Sequence, residues 1–407
     1  MGLLRDPDFR RLFTATAASQ LGDRVIFLAL PLVAIVALSA TEFQVGLLSA
    51  ATMAGSLLVG LPAGAWIDRL RKRGVLVTTD LLRALVIAVI PLAWWADALS
   101  IWLLFGVALV HGVLTVFFDV AYVSYLPYLV GRDHLTEGNA KLASVRSAVS
   151  VGGPGLAGPL IGAFGAPVAL VAGSAGMVVS ALFVRGLRKR EPAPEPSADP
   201  HLGREIAEGL RFVLGQPLLR AIVTADGLFG LFLIAYQTML LVFLARDVQL
   251  GSFGIGVVLS AMGCGGLAGA LLARRAASRL GARRVIWLAP LLTCPPAALM
   301  AFAAPGWTLW VAPAGLVLLS FGGVVRLVAQ AGLQQSVTPD HVLGRMSATF
   351  RFVTWGGMPL GGLLGGAAGT WLGPSATLWL SAAGLTLTFL PTFAVRAGEH
   401  TERSVTS

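Results

Sequence analysis

From Phe352 to Val395 the chain carries no Asp, Glu, Lys or Arg, and six further stretches are equally free of these residues. They run from Phe43 to Ile67, Ala98 to Phe118, Ser147 to Val184, Gly227 to Ala245, Val248 to Ala273 and Val285 to Val325. A helix of about 20 apolar residues, rising about 1.5 Å per residue, crosses the hydrocarbon of a bilayer. Every stretch is long enough for that, and the three longest must each hold two spans, split at Phe164-Gly165-Ala166-Pro167, Ala304-Pro305-Gly306 and Gly373-Pro374. Segments near 12–38 and 75–96 bring the expected number to twelve. The period-2 alternation of an outer-membrane barrel is missing, and open strand edges are too costly in hydrocarbon. The expected fold class is therefore an all-α membrane protein, and a hydrophobic content of 56% against 12% charged residues excludes a water-soluble enzyme.

The formal charge of +10 comes from 27 Arg and 3 Lys, which recur at every second interhelical loop instead of gathering on one face. Nucleic acid is thereby excluded as a partner. Arg5, Arg10 and Arg11 precede span 1, Arg69, Arg71, Lys72 and Arg73 follow span 2, Arg185, Arg188, Lys189 and Arg190 follow span 6, and Arg274, Arg275, Arg279, Arg283 and Arg284 follow span 8. The alternate loops are short and nearly free of basic residues, Arg246 excepted. By the positive-inside rule both termini and the long central loop are expected in the cytoplasm of a multi-pass cell-membrane protein. Cys264 and Cys294 fall inside apolar runs and read as packing residues. The start of the chain has no cleavable signal architecture, so span 1 is expected to stay in the mature protein.

Between Arg188 and Arg204 lies the stretch Glu191-Pro192-Ala193-Pro194-Glu195-Pro196-Ser197-Ala198-Asp199-Pro200, which can form neither a span nor a packed helix. It divides the chain six plus six. The expected organisation is a first six-helix bundle over 1–187, a cytoplasmic linker and interfacial helix over 188–216, a second bundle over 217–395 and a tail over 396–407. The interfacial helix is read from Ile206, Leu210 and Val213. The halves repeat weakly. Pro7, Phe9, Arg10, Leu12 and Thr14 match Pro217, Leu219, Arg220, Ile222 and Thr224 at an offset of 210, and Asp133-His134-Leu135 matches Asp340-His341-Val342 at 207. Duplication of a six-helix unit makes the two bundles pseudo-symmetric and puts a binding site between them near mid-membrane.

After span 2 stands Gly64-Ala65-Trp66-Ile67-Asp68-Arg69-Leu70-Arg71-Lys72-Arg73. It resembles the loop signature of the major facilitator superfamily, Gly-x-Leu-Ala-Asp-Arg-x-Gly-Arg-Lys/Arg, with Arg71 in place of the second glycine, as in the branch of enterobactin and macrolide exporters. Thr79-Asp80-Leu81-Leu82-Arg83 in span 3 and Val116 to Tyr122 in span 4 are similar to that branch too. The resemblance implies a conformational latch of Gly64, Asp68, Arg69, Arg73, Asp80 and Arg83, in which Asp68 caps the start of span 11 around Gly344 to Ala348 and Gly64 lets helices approach closely. The competing reading is a charge cluster that only sets orientation. In span 5, Gly153-Pro154-Gly155-Leu156-Ala157-Gly158-Pro159 is similar to the Gly-Pro-rich antiporter signature, with Gly153, Pro154 and Gly158 its expected working residues, although simple helix packing explains the same composition. It also spells G-x-G-x-x-G, but no strand precedes it and proline sits inside it, so a dinucleotide site is rejected.

Charges inside hydrocarbon cost at least about 2.5 kcal/mol each on insertion scales and need a reason. Span 1 places Thr16, Gln20, Asp23 and Phe27 on one face, and span 4 places His111, Thr115, Asp119 and Tyr122 on another. Span 7 offers Asp226 and Gln237, span 10 Arg326, Gln330 and Gln334. The resemblance implies that these four spans line the central cavity. The expected cavity and proton-coupling residues are Asp23, Gln20, Asp119, His111, Asp226, Gln237, Arg326 and Gln330. Asp119 and Arg326 stand 207 residues apart, the offset of the repeat, so duplication predicts that they face one another and pair or exchange partners as the halves rock. Asp23 is the expected site of reversible protonation, and a static polar network of the same residues is the alternative.

No Gly-x-x-x-x-Gly-Lys-Ser/Thr, HExxH or Gly-x-Ser-x-Gly motif occurs, so no cofactor, metal or ATP is expected and a gradient must supply the energy. The leading expectation is a proton-coupled secondary exporter of a small amphipathic molecule, functional as a monomer among membrane lipids. An importer or lipid translocator on the same fold, a membrane sensor and a membrane enzyme are the rivals.

Overall fold

The computed structural model describes residues 2–189, 191, 202–304 and 306–395, with backbone alone at 61, 65, 68, 132, 202–208, 340–345 and 348. Among the described residues the architecture is helical, without strands. The helices are α1 (Pro7–Leu32), α2 (Glu42–Asp68), α3 (Lys72–Trp95), α4 (Ile101–Val130), α5 (Leu135–Phe164), α6 (Ala166–Arg185) and α7 (Leu202–Gly215). They continue as α8 (Pro217–Val242), α9 (Ser252–Leu280), α10 (Ala282–Thr293), the short α11 (Thr308–Val311), α12 (Pro313–Val337), α13 (Asp340–Leu372) and α14 (Pro374–Leu387). Among the described residues eleven segments meet the length and apolarity of a membrane span, and α13, at 33 residues, has the length of a twelfth.

Local chemistry explains the boundaries. Asp6 accepts hydrogen bonds from the amides of Asp8 (2.8 Å) and Phe9 (3.4 Å), and Pro7 fills the first helical position, so α1 starts there. Thr41 and Gln44 form a reciprocal capping box at the head of α2. The expected breaks inside the long apolar runs fall at Gly165 and Gly373, whose φ of 82° and 85° ends one helix and allows the next to begin on alanine or proline. The repeat is visible in the backbone as well. α1 and α8 both run into a single π-helical turn, Val33–Ala37 and Phe243–Asp247, and each turn is followed by a non-glycine residue at positive φ, Ser39 (49°) and Gln249 (55°). Those pairs stand 210 residues apart, the offset read from the sequence.

Two compact units result, residues 1–200 with Leu250–Ser260 and residues 201–249 with 261–407. In the first, α1 packs on α5 and α6, α2 on α4, and α3 on α4 and α6. Its buried apolar cluster includes Phe9, Leu12, Ile67, Leu76, Tyr125 and Leu142. In the second, α8 packs on α13 and α14, α10 on α12, and α7 on α13, over a cluster that includes Val213, Ile222, Val285, Val325 and Met346. The start of α9 belongs with the first unit because it seats on the glycines of α5. A Cβ at Gly158 would fall 2.7 Å from the Ser252 carbonyl oxygen and 3.2 Å from the Gly256 Cα. Only a bare backbone permits that approach. Cys294 is buried as expected for a packing residue, whereas Cys264 is exposed, because its turn of α9 faces outward.

Candidate functional site

On α3 the residues Leu76, Thr79, Asp80, Arg83, Ala84, Ile87 and Ile90 recur at three and four and form its buried stripe. Arg83 therefore projects into the first unit with a side chain that is 0% exposed. Its Nη1 donates to Asp80 Oδ1 at 3.1 Å and its Nη2 donates to Asp23 Oδ1 on α1 at 2.5 Å. The guanidinium carbon lies 5.1 Å from the centre of the Phe118 ring of α4. Asp80 is as enclosed as Arg83, but the Asp23 side chain is 38% exposed. Charge-assisted bonds to two carboxylates are what make a buried guanidinium tolerable. Asp119 on α4 is an exposed residue within electrostatic range of Arg83. His111 is buried within the same guanidinium's field, and its Nε2 has no hydrogen-bond partner among the described residues.

A second cluster lies in the other unit. Arg326 of α12 donates from Nη1 to Asp226 Oδ1 of α8 at 2.6 Å, with the two side chains 7% and 9% exposed. Gln330, one turn along α12, donates from Nε2 to the other oxygen of Asp226. Phe229 of α8 covers the guanidinium at 4.4 Å. Both carboxylate oxygens of Asp226 are thus occupied.

Several expectations change. The repeat predicts that Arg326 and Asp119 pair or exchange partners; within its own unit Arg326 is bonded to Asp226, a carboxylate that helical spacing could not single out, because spacing sets a face and not the neighbour that covers it. The resemblance implies a latch role for Asp80 and Arg83, but the structure puts them in the interior with Asp23, merging two groups that the sequence keeps apart. At Gly64 a Cβ would meet no atom within 4 Å, so the close approach expected there is not formed among the described residues. The side chain of Asp68 and those of residues 344, 345 and 348 of its expected partner lie outside the described residues. Arg69 is exposed, and Arg73 donates to the carbonyl of Arg185.

Gln20 and Gln237 are half-buried on their helices. Gly153 and Pro154 are buried, and Gly153 makes room for a side chain: a Cβ there would stand 2.8 Å from Arg24 Cγ. Sequence reasoning missed Phe118 and Phe229, since nothing marks one phenylalanine among twenty as the one that covers an arginine.

Eleven membrane-length apolar segments among the described residues, in two units that each hold a buried ion pair, are the context for the comparison with known proteins. The transmembrane secretion effector family matches residues 2–407. The chain belongs to that family of the major facilitator superfamily. It is 26% identical over 388 residues to the enterobactin exporter EntS of Salmonella choleraesuis, covering 94% of this chain and 90% of that protein. It is 28% identical over 343 residues to the multidrug efflux pump Tap of Mycolicibacterium fortuitum, covering 81% and 82%. Among solved structures, a bacterial homologue of the iron transporter ferroportin superposes with a TM-score of 0.75 at 19% identity, covering 97% of this chain and 99% of the other. The nucleoside transporter NupG does so at 0.75 and 13%, covering 95% and 98%. At such identities these two share the fold alone with this transporter, which is a multi-pass protein of the membrane.

Proposed function

We propose that this major facilitator transporter exports a small amphipathic molecule across the cytoplasmic membrane by alternating access, exchanging it for protons at Asp23. Export is supported by the family and by two relatives, one that moves enterobactin and one that moves multiple drugs. The observation that carries the coupling is the asymmetry around Arg83: one carboxylate partner is fully enclosed and the other, Asp23, is 38% exposed. A carboxylate bound to arginine on one side and open on the other can exchange its proton without unfolding a helix. Protonation removes its charge and weakens its bond to Arg83, so the hold of α1 on α3 depends on the proton. Such a dependence is what biases a two-state element. The half-buried amide of Gln20, one turn from Asp23 on α1, offers the cargo a polar contact in the first unit.

In this reading both termini are cytoplasmic, as the arginine-rich loops require, and the bundles 1–187 and 217–395 move as bodies joined by residues 188–216. One chain is a complete transporter, working among lipids without a resident cofactor. The test is compound accumulation in everted membrane vesicles under an imposed pH gradient. Wild type accumulates an amphipathic dye and loses it on adding an uncoupler. Asp23→Asn abolishes gradient-driven accumulation and retains substrate exchange. Full gradient-driven transport in that variant removes Asp23 from coupling, and flux in the opposite sense establishes an importer.

A further inference from the structure

Where α3 begins and α6 ends, the first unit holds a cleft of about 620 Å³ lined by Arg71, Arg73, Gly74, Thr78, Arg185 and Glu191. The acid in it is already committed. Glu191 accepts from the amides of Lys72 (3.0 Å) and Arg73 (3.1 Å) and faces the Lys72 ammonium at 3.9 Å, so the first turn of α3 offsets its charge. None of the three arginines has a carboxylate partner among the described residues, and Arg71 and Arg185 are exposed. The wall beyond the cleft is apolar and bare: Leu81, Leu82 and Leu85 of α3 and Leu182 and Phe183 of α6 are all exposed. Guanidinium groups bind phosphate oxygens through paired N–H donors, and a greasy wall beside them suits a chain-bearing phosphate better than a free one.

We propose that this cleft binds the phosphodiester headgroup of an anionic phospholipid, whose acyl chains lie along the exposed leucines of α3 and α6. The bound lipid bridges the ends of these helices, which Arg73 already ties through the Arg185 carbonyl. Native mass spectrometry of the full chain, released from detergent with phosphatidylglycerol or phosphatidylcholine, tests this independently of transport. Wild type retains phosphatidylglycerol in preference. With each arginine contributing as a basic residue at an anionic surface does, Arg71→Gln with Arg185→Gln lowers that preference roughly thirty-fold. Arg71→Gln alone, at an exposed side chain, lowers it roughly five-fold and carries the test if the double variant is poorly folded. The same charge change at Arg274 and Arg275, exposed on α9, leaves it unaltered. Equal loss in that control, no preference in wild type, or displacement of the lipid by millimolar inorganic phosphate overturns the assignment, the last by showing a site for soluble anions.

Discussion

Each unit buries a guanidinium against a carboxylate and a phenylalanine ring, yet the two clusters are built on different helices and closed to different degrees. In the first unit the arginine stands on the third helix and reaches an acid on the first that is 38% exposed. In the second it stands on the fourth membrane helix of its unit, α12, and its acid on α8 is 9% exposed, with Gln330 occupying the remaining oxygen. At the positions 207 residues beyond Asp80 and Arg83 the second unit has Trp287 and Pro290, so the charged third helix was not kept in both copies. A closed pair is a structural clamp; a half-open one can respond to its surroundings.

The largest effect that sharpens this contrast comes from Arg83→Met. It strands Asp80 at 0% exposure and is expected to cost on the order of 3–5 kcal/mol, read as the lowest thermal unfolding midpoint of the series in detergent. Arg326→Met costs less, since Gln330 still serves Asp226. Next come the two acids. Asp226→Asn is expected to destabilise by about 1–3 kcal/mol, while Asp23→Asn, at a half-open site, shifts stability by under about 1 kcal/mol and still stops gradient-driven transport. The reverse ranking in unfolding assays would break the division between clamp and coupling site. The ring substitutions fall below Asp226→Asn. Phe229→Leu should cost about 0.5–2 kcal/mol and Phe118→Leu less, following ring distances of 4.4 and 5.1 Å. The smallest change is expected from replacing Asp226, Arg326 and Gln330 together by leucine, which is near neutral for stability and leaves vesicle transport intact. Loss of transport there gives the second cluster a working role.

Much of the fold was legible because hydrocarbon admits so few solutions. Long uncharged runs announce spans, Gly165 and Gly373 before an alanine-proline pair or a proline announce their breaks, and Thr41 with Gln44 announces a cap. The candidate site was legible as a set of rare charges. Its wiring was not: Arg83 looked like part of a loop signature because it follows one closely, and only the rotation of α3 shows that its stripe is buried. Gly64 and Gly158 look alike in sequence, yet among the described residues only the second touches another backbone.

The sequence by itself determined that this chain is a lipid-dissolved, doubled set of helices with a few expensive charges, since apolar length and charge cost depend on composition along the chain. Which acid each arginine meets, and which of those acids stays open, was decided only by tertiary packing. Helical periodicity assigns a residue to a face, whereas the angle and neighbour of that face follow from contacts between segments far apart in the chain.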